Sequence, residues 1–467
     1  KGLVRREVVR LYTPGTLVET EFLSPVESNF LAAIAMSRTG TPAPVIGLAM
    51  LEVSTGEFWI AEFQGEQAQT QALDELARLD PREILFAPTA NRQDRAWLDQ
   101  TKGVRLCERD ASTFEQERAA RLLQEQFHVH SLEAFGCQGL TVGIGAAGAV
   151  LHYFRDTQPT APLDYIRRPR VRRTMDTMHL DSVTIRNLEL LKPMGALDEG
   201  HSGKPATLLS VLDRTVTAMG SRLLRQWLVR PLIQCEAIQA RLDAVSELKD
   251  RIQARVAVRA ALRAVQDISR LSGRIVLGVA GPRELLALKD SLAALPDIAT
   301  QLNQFESPLL VEACSNWDEG RDLGDLIEQA LQPEAPISLR DGGVIRDGYD
   351  TQVDELRKAS TEGKHWIAAL EAKERERTGI DSLKIRYNQV FGYYIEITKT
   401  NLARVPADFI RKQTLVNAER FMTPELKELE ERVTGAEVKL LALEQDLFAQ
   451  LRNRLAGHAS RLQDMAG

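Results

Sequence analysis

Lys384, Arg386 and Asn388 alternate with the apolar residues Leu383, Ile385 and Tyr387. In an extended strand a period of two puts the polar set on one face and the apolar set on the other. Residues 393–398 repeat the alternation, with Ile395 and Ile397 set against Tyr394, Glu396 and Thr398. Gly392 lies between the two runs and lets the chain reverse, which predicts a β-hairpin. A third run, 411–417, can add a strand; it carries Arg411, Lys412 and Asn417, with Arg420 just beyond. Residues 383–423 hold seven basic and three acidic side chains, a local charge of +4 in a chain whose total is −6. Lys and Arg neutralise phosphate and Asn adds hydrogen bonds, so such a face suits a sugar-phosphate backbone. A solvated sheet face is often charged as well, and charge alone does not separate the two readings. No base-reading element accompanies the run, so contact would be indifferent to sequence. About three phosphate contacts would give a log–log salt slope of roughly −2.7.

Other stretches invite chemical readings with less support. Residues 199–205, Glu-Gly-His-Ser-Gly-Lys-Pro, look like a phosphate loop, but Asp198 stands where the first Gly is needed and Pro205 where Ser or Thr would hold magnesium. A surface loop joining helices is the plainer reading. No intact G-x-x-x-x-G-K-[ST] occurs, so nucleotide hydrolysis is not expected of these 467 residues. Glu52-Val53-Ser54-Thr55-Gly56 resembles the first hairpin of ribonuclease H-like domains, where a carboxylate binds metal. A nuclease needs several clustered carboxylates to hold two metals, and the sequence does not show others converging, so structural use is the competing reading. His128 and His130 could be a metal pair, yet no further ligands are close in sequence. Arg167, Arg168, Arg170, Arg172 and Arg173 crowd around Pro169. They could hold phosphate, or form a charged interdomain strand that pairs with acidic neighbours.

The elements that must position the basic face are legible on both sides of it. Residues 350–377 read as one long helix, with Val353, Leu356, Ser360, Gly363, Ile367 and Leu370 at 3-4 spacing and Gly379 as a C-cap. Thr423-Pro424 signals a second start, Thr as N-cap and Pro at the first helical position. Leu426, Leu429, Val433, Ala436, Leu440, Leu443 and Leu447 then keep a 3-4 repeat. About 28 helical residues span about 42 Å, so an antiparallel pair would make an arm with the basic segment at its tip. Pairing from the tip sets Gly363 near Gly435 and Ala436, which predicts a soft joint and faster hydrogen exchange there.

Upstream, apolar runs at 45–53 and 57–63 flank a turn at 54–56, followed by helix-like 67–79, short strands at 83–87 and 104–107, and a small-residue helix at 145–157. Strands alternating with helices indicate an α/β domain. From about 181 to 332 the pattern is helical, with starts near Asp181, Ser210 and Pro282, and with Trp227, Leu228 and Leu232 as expected core. The expected division is a linker at 1–27, an α/β domain at 28–164, a first helical part at 165–363, the tip at 364–423 and a returning helix at 424–467.

A hydrophobic fraction of 44% and a charged fraction of 27% are ordinary for a folded soluble protein. The net charge argues against a uniformly basic nucleic-acid binder, so any such surface is local. Cys107, Cys137, Cys235 and Cys314 form no C-x-x-C pair, which suggests neither zinc nor a disulfide framework and fits a reducing cytosol. No apolar run reaches membrane-spanning length, and the start lacks the apolar core of a signal peptide. The chain begins at Lys1 without Met, as a piece of a longer protein would.

These residues resemble a known family. Residues 375–397, Arg-Glu-Arg-Thr-Gly-Ile-Asp-Ser-Leu-Lys-Ile-Arg-Tyr-Asn-Gln-Val-Phe-Gly-Tyr-Tyr-Ile-Glu-Ile, and 411–426, Arg-Lys-Gln-Thr-Leu-Val-Asn-Ala-Glu-Arg-Phe-Met-Thr-Pro-Glu-Leu, are similar to the clamp of bacterial MutS DNA mismatch-repair proteins. Residues 1–16, 180–190 and 209–232 resemble the exit from the mismatch-reading domain and the start of the core domain. The resemblance implies a multidomain α/β plus mainly α chain. Its parts would be a ribonuclease H-like connector without nuclease activity, a helical lever bundle of long antiparallel helices, and a small antiparallel β clamp at the tip. It implies clamps that embrace double-stranded DNA through its backbone, levers that couple them to an ATPase, a connector that contacts MutL, and a homodimer in the parent protein. The mismatch-reading loop would precede Lys1 and the ATPase would follow Gly467. ATP and magnesium would thus belong to the parent, with no cofactor or catalytic residue in this stretch, and the location would be the bacterial cytoplasm at the nucleoid. By motif position the DNA-binding candidates are Lys384, Arg386, Asn388, Arg411, Lys412, Asn417 and Arg420. Family members often carry Lys where this chain has Val416, so no contact transfers to 416. The alternative is a ribonuclease H-like nuclease with a helical DNA-binding arm; a third reading is a coiled-coil scaffold without a DNA role.

Overall fold

Three consecutive apolar runs with turn residues between them form an antiparallel meander: β1 (Phe30–Ser37), β2 (Val45–Glu52) and β3 (Glu57–Gln64). The computed structural model describes residues 10–37, 44–88, 97–101, 103–172, 177–194, 207–315, 317–388 and 392–466. These fall into two compact units. One takes in the chain up to Ala280, Ala287–Asp325 and Arg452–Gly467; the other takes in Gly281–Leu286 and Leu326–Leu451.

In the first unit β4 (Glu83–Phe86) runs parallel to β1, β5 (Arg105–Glu108) parallel to β4, and β6 (Arg170–Val171) parallel to β3. The sheet order is β5-β4-β1-β2-β3-β6. Both faces are covered, so β1 is apolar at consecutive positions. Phe30, Ala32 and Ile34 pack with Ala68, Ala72 and Leu76 of helix Ala68–Leu79. Leu31, Ala33 and Ala35 pack with Ala146, Ala147 and Val150 of helix Val142–Thr157. The rest of this unit is helical, including Ala218–Val229, Cys235–Asp250, Ile268–Val276 and Ala459–Ala466. Trp227, expected in its core, is 41% exposed, while Val229 is buried. Arg241 lies 3.7 Å from the Trp227 ring centre and covers one indole face, so the guanidinium fills the place of apolar neighbours.

The second unit contains the arm. Its outgoing helix is Thr351–Thr378, capped by Asp350, whose carboxylate accepts from the amides of Gln352 and Val353. Gly379 ends it in the left-handed conformation at φ 66°. The returning helix is Pro424–Ala456, and Thr423 Oγ1 accepts from the amide of Leu426. Cross-helix pairs hold the two in register: Lys373 with Glu425 at 2.9 Å, Lys364 with Glu437 at 2.7 Å, and Arg357 with Glu444 at 2.8 Å. Between the helices lie β7 (Lys384–Asn388), β8 (Gly392–Thr398), β9 (Ile410–Thr414) and β10 (Ala418–Met422), an antiparallel sheet ordered β7-β8-β10-β9.

Candidate nucleic-acid interface at the arm tip

The tip sheet stands on its own small core. Ile395, Ile397 and Phe421 pack with Ile367 and Leu370 of the outgoing helix and with Leu426 and Val433 of the returning one. The β7–β8 register sets Lys384 opposite Glu396, Ile385 opposite Ile395 and Arg386 opposite Tyr394. Gly392, opposite Asn388, has φ 72°. A Cβ there would collide with the Glu430 carboxylate, which accepts from the amide of Tyr393 at 3.1 Å. Residues 389–391 lie outside the described residues.

Two positions depart from the period-two expectation. Tyr387, assigned to the apolar face, is 55% exposed. It sits at the sheet's end beyond the core and packs on its cross-strand neighbour Tyr393, with ring centres 5.0 Å apart. Tyr394, assigned to the polar face, is buried because Arg420 lies over its ring at 4.2 Å.

The carboxylates of the tip are already engaged. Glu396 lies 3.6 Å from Arg386 and 3.8 Å from Arg420, and Arg420 also donates to Gln413 Oε1 at 2.8 Å. Glu419, buried, lies 2.9 Å from Arg411 Nε. Asp408 accepts from Arg377 at 3.0 Å, and that hydrogen bond holds its carboxyl below the ordinary range. Three exposed lysines remain, Lys384, Lys399 and Lys412, and like the exposed Arg404 none has an ion-pair partner among the described residues. Arg404 donates to the Gly379 carbonyl at 2.9 Å.

The seven candidate residues therefore do not form one patch. Lys384, Glu396, Arg420 and Gln413 form one row across the outer face. Asn388 is about 13 Å along the strand from Lys384. Arg411 pairs across with Phe421 at a β-bulge and shares that residue's face. Leu415, Val416 and Asn417 link β9 to β10, with Val416 and Asn417 exposed and the turn closed by Leu415 N–H to the Ala418 carbonyl at 2.9 Å. Lys399 joins this end: its amide donates to the Asn417 carbonyl at 3.1 Å. Ser382, Thr398, Thr400 and Asn401 form a hydrogen-bonded polar cluster beside it.

The soft joint is not what the structure shows. Gly363 faces Val433, so closely that an added Cβ would collide with a Val433 methyl. Gly435 has open space around its missing Cβ. The glycine at 363 thus brings the helices together at a buried valine rather than leaving a gap, and Lys364 and Ser360 reach Glu437 one turn on.

Comparison with known proteins agrees with this architecture. Residues 183–467 match the family description "MutS domain III" and residues 29–167 match "MutS domain II". The chain belongs to the MutS family. It is 46% identical over its whole length to DNA mismatch repair protein MutS of Symbiobacterium thermophilum, 44% identical to that of Solibacter usitatus and 41% to that of Alkaliphilus oremlandii. The chain covers 52% of each, so it spans about half the length of these relatives.

Within the MutS domain II match, Glu52 serves the fold. It is buried and accepts from Ser54 Oγ at 2.5 Å, and Arg270 Nε donates to the same Ser54 oxygen at 3.2 Å. Burial raises its carboxyl above the ordinary value against the pull of Arg270. Gln463 clasps the same turn by donating to the carbonyls of Thr55 at 3.0 Å and Tyr165 at 2.6 Å. Among the described residues no group of three or more His, Cys, Asp or Glu is placed to hold a metal; it is the match to the MutS family that does not favour the nuclease alternative. His128 is the left-handed C-cap of helix Gln116–Phe127. Among the described residues of the arginine cluster, only Arg172 forms an ion pair, with Glu75 at 3.1 Å; Arg167 donates to the Gln463 carbonyl at 2.5 Å, and Arg168 and Arg170 lie over Phe135 and Trp59. Arg173 and residues 198–205 fall outside the described residues. No helix among the described residues is long and apolar enough to cross a membrane.

Lys399 is the cation that motif reading missed. It follows a strand and belongs to no alternating run, so only its exposure and its bond to the Asn417 loop mark it.

Proposed function

We infer that the chain is the part of a DNA mismatch-repair protein that grips duplex DNA at the arm tip, through the backbone and without reading sequence. The observation that carries this is the set of exposed lysines left after the tip's acids are paired: Lys384, Lys399 and Lys412. Lys and Asn at such positions contact phosphate without specifying bases. Asn417 and the Ser382–Asn401 cluster would add uncharged hydrogen bonds. Arg386, Arg411 and Arg420 would hold the sheet that presents them, and Asn388 would close the β7–β8 end. The paired helices form a stiff lever through which a grip at the tip could be coupled to an ATPase in the longer protein. No residue pattern in this chain suits ATP with magnesium, so that chemistry is proposed of the longer protein alone.

The strand order β5-β4-β1-β2-β3, with a meander and parallel extensions, supports a ribonuclease H-like connector whose carboxylate has been turned to structural use. MutL contact by this domain and homodimerisation of the longer protein rest on the family alone. The test is fluorescence anisotropy with labelled duplexes of unrelated sequence. Equal affinities are expected, with loss of binding in a Lys384→Glu/Lys412→Glu variant. Affinity that varies with sequence, or survives the double charge reversal, would refute the reading.

A further inference from the structure

Away from the tip, a cleft of about 280 Å³ opens between the β3–β6 edge of the six-stranded sheet and helix Ala218–Val229. Trp59, Ala61 and Phe63, alternate residues of β3, make one apolar wall, and Leu223 and Trp227 face them. Four guanidinium groups line it: Arg78, Arg172, Arg230 and Arg241. The first three converge on a single carboxylate, Glu75, with Arg78 and Arg172 each 3.1 Å away and Arg230 also in contact. Arg241 has no carboxylate partner among the described residues. Among the other described acids near these groups, Asp74 faces His179 at 3.5 Å, and Glu57 acts on Arg230 from further away.

Two donors on the cleft wall, Trp59 Nε1 and Arg172 Nε, are buried with no acceptor among the described residues. Buried polar groups are nearly always hydrogen-bonded, so such orphans call for an acceptor. Desolvation pulls the Arg241 guanidinium below its ordinary value, a cost that a bound anion would offset. The cleft thus combines excess positive charge, unused donors and an apolar wall. Its size is near the lower end of small-molecule sites, about 300–1,000 Å³.

We propose that this cleft binds a small anion carrying a planar ring, of the size of a nucleoside monophosphate. The acid group meets Arg241 and the unengaged Nε of Arg172, and the ring lies against Ala61, Phe63 and Leu223, because the Arg172 guanidinium already covers a face of Trp59 at 3.9 Å. The site is separate from the tip and independent of its DNA reading.

The test is calorimetric titration of the 467-residue chain with adenosine monophosphate, adenosine and inorganic phosphate. Adenosine monophosphate should bind, and adenosine should bind at least about tenfold more weakly, the ratio expected for losing one charged hydrogen-bonded contact. Arg241→Ala, at a residue with no ion pair to break among the described residues, should cost about tenfold or more, and the thermal midpoint, lowered by the packing lost from Trp227, shows whether the variant is still folded at the titration temperature. A Lys384→Glu/Lys412→Glu variant should bind as the parent does. Absence of binding at millimolar adenosine monophosphate, equal affinity for adenosine, insensitivity to Arg241→Ala, or loss of binding in the tip variant would each overturn the proposal.

Discussion

Three exposed lysines without acid partners set the expected salt dependence of duplex binding. Each phosphate neutralised contributes about −0.9 to the slope of log affinity against log salt, so Lys384, Lys399 and Lys412 together give about −2.7. Between about 50 and about 200 mM salt the affinity should then fall about fortyfold. Lys384→Gln should bring the slope to about −1.8 and the fall to about twelvefold, and Lys399→Gln and Lys412→Gln should act alike. Arg420→Gln is the contrasting case. Arg420 is stacked on Tyr394 and lies beside Glu396 and Gln413, with its side chain 17% exposed. It has little charge left to offer, and its loss should cost tip stability while leaving the slope near −2.7. Anisotropy titrations at several salt concentrations measure the slopes, and circular dichroism separates folding from binding. If Arg420→Gln flattens the slope as much as Lys384→Gln while the tip stays folded, internal ion pairing does not decide which cations meet phosphate, and the reasoning fails.

Other expectations are independent of DNA. Glu444 is 1% exposed and accepts from the Gly343 amide at 2.7 Å and from Arg357 at 2.8 Å. Glu444→Ala should cost about 2–4 kcal/mol, less than a fully buried pair because Arg357 remains partly solvated; urea unfolding measures it. Gly363→Ala must push against Val433 and should destabilise the arm by about 1–2 kcal/mol despite the better helix propensity of Ala. Hydrogen exchange at 363 in the parent should be as slow as in neighbouring turns, and fast exchange there would restore the soft joint. Glu52 has a folded-state pKa raised by burial, so its contribution to stability is full below the unfolded value and is lost as pH rises through the folded one. Glu52→Gln should flatten that part of the stability–pH curve, and an unchanged curve would show that Glu52 is not the group responsible.

Both helix ends of the arm were readable because they rest on local chemistry. Thr423-Pro424 and Gly379 act within a turn of themselves, and the 3-4 apolar spacing carries the length between them. Strands β7, β8 and β9 were readable for the same reason, as were the positions of Lys384 and Arg386 on alternate residues, whereas β10 and, in the other sheet, β1 were not singled out. Partnering across strands was not. Glu396 sits opposite Lys384 in register yet contacts Arg386 and Arg420, and Glu419 takes Arg411. Tyr387 and Tyr394 keep their faces but not their expected burial, because one runs past the end of the core and the other is roofed by an arginine. Trp227 failed as a core residue for a similar reason, since Arg241 covers its ring.

The sequence by itself determined the family, the two kinds of domain, the arm and the basic character of its tip. The family follows from the resemblance of residues 375–397 and 411–426 to known motifs, and the rest from periodicity and charge along the chain. Only the tertiary structure decided which cations stay unpaired, that Lys399 joins the Asn417 loop, that Gly363 closes on Val433, and that Glu52 is sealed by Ser54 beside Arg270. Those outcomes depend on side chains far apart in sequence meeting within a few ångströms, and pairwise electrostatics and packing are settled by that distance rather than by residue type.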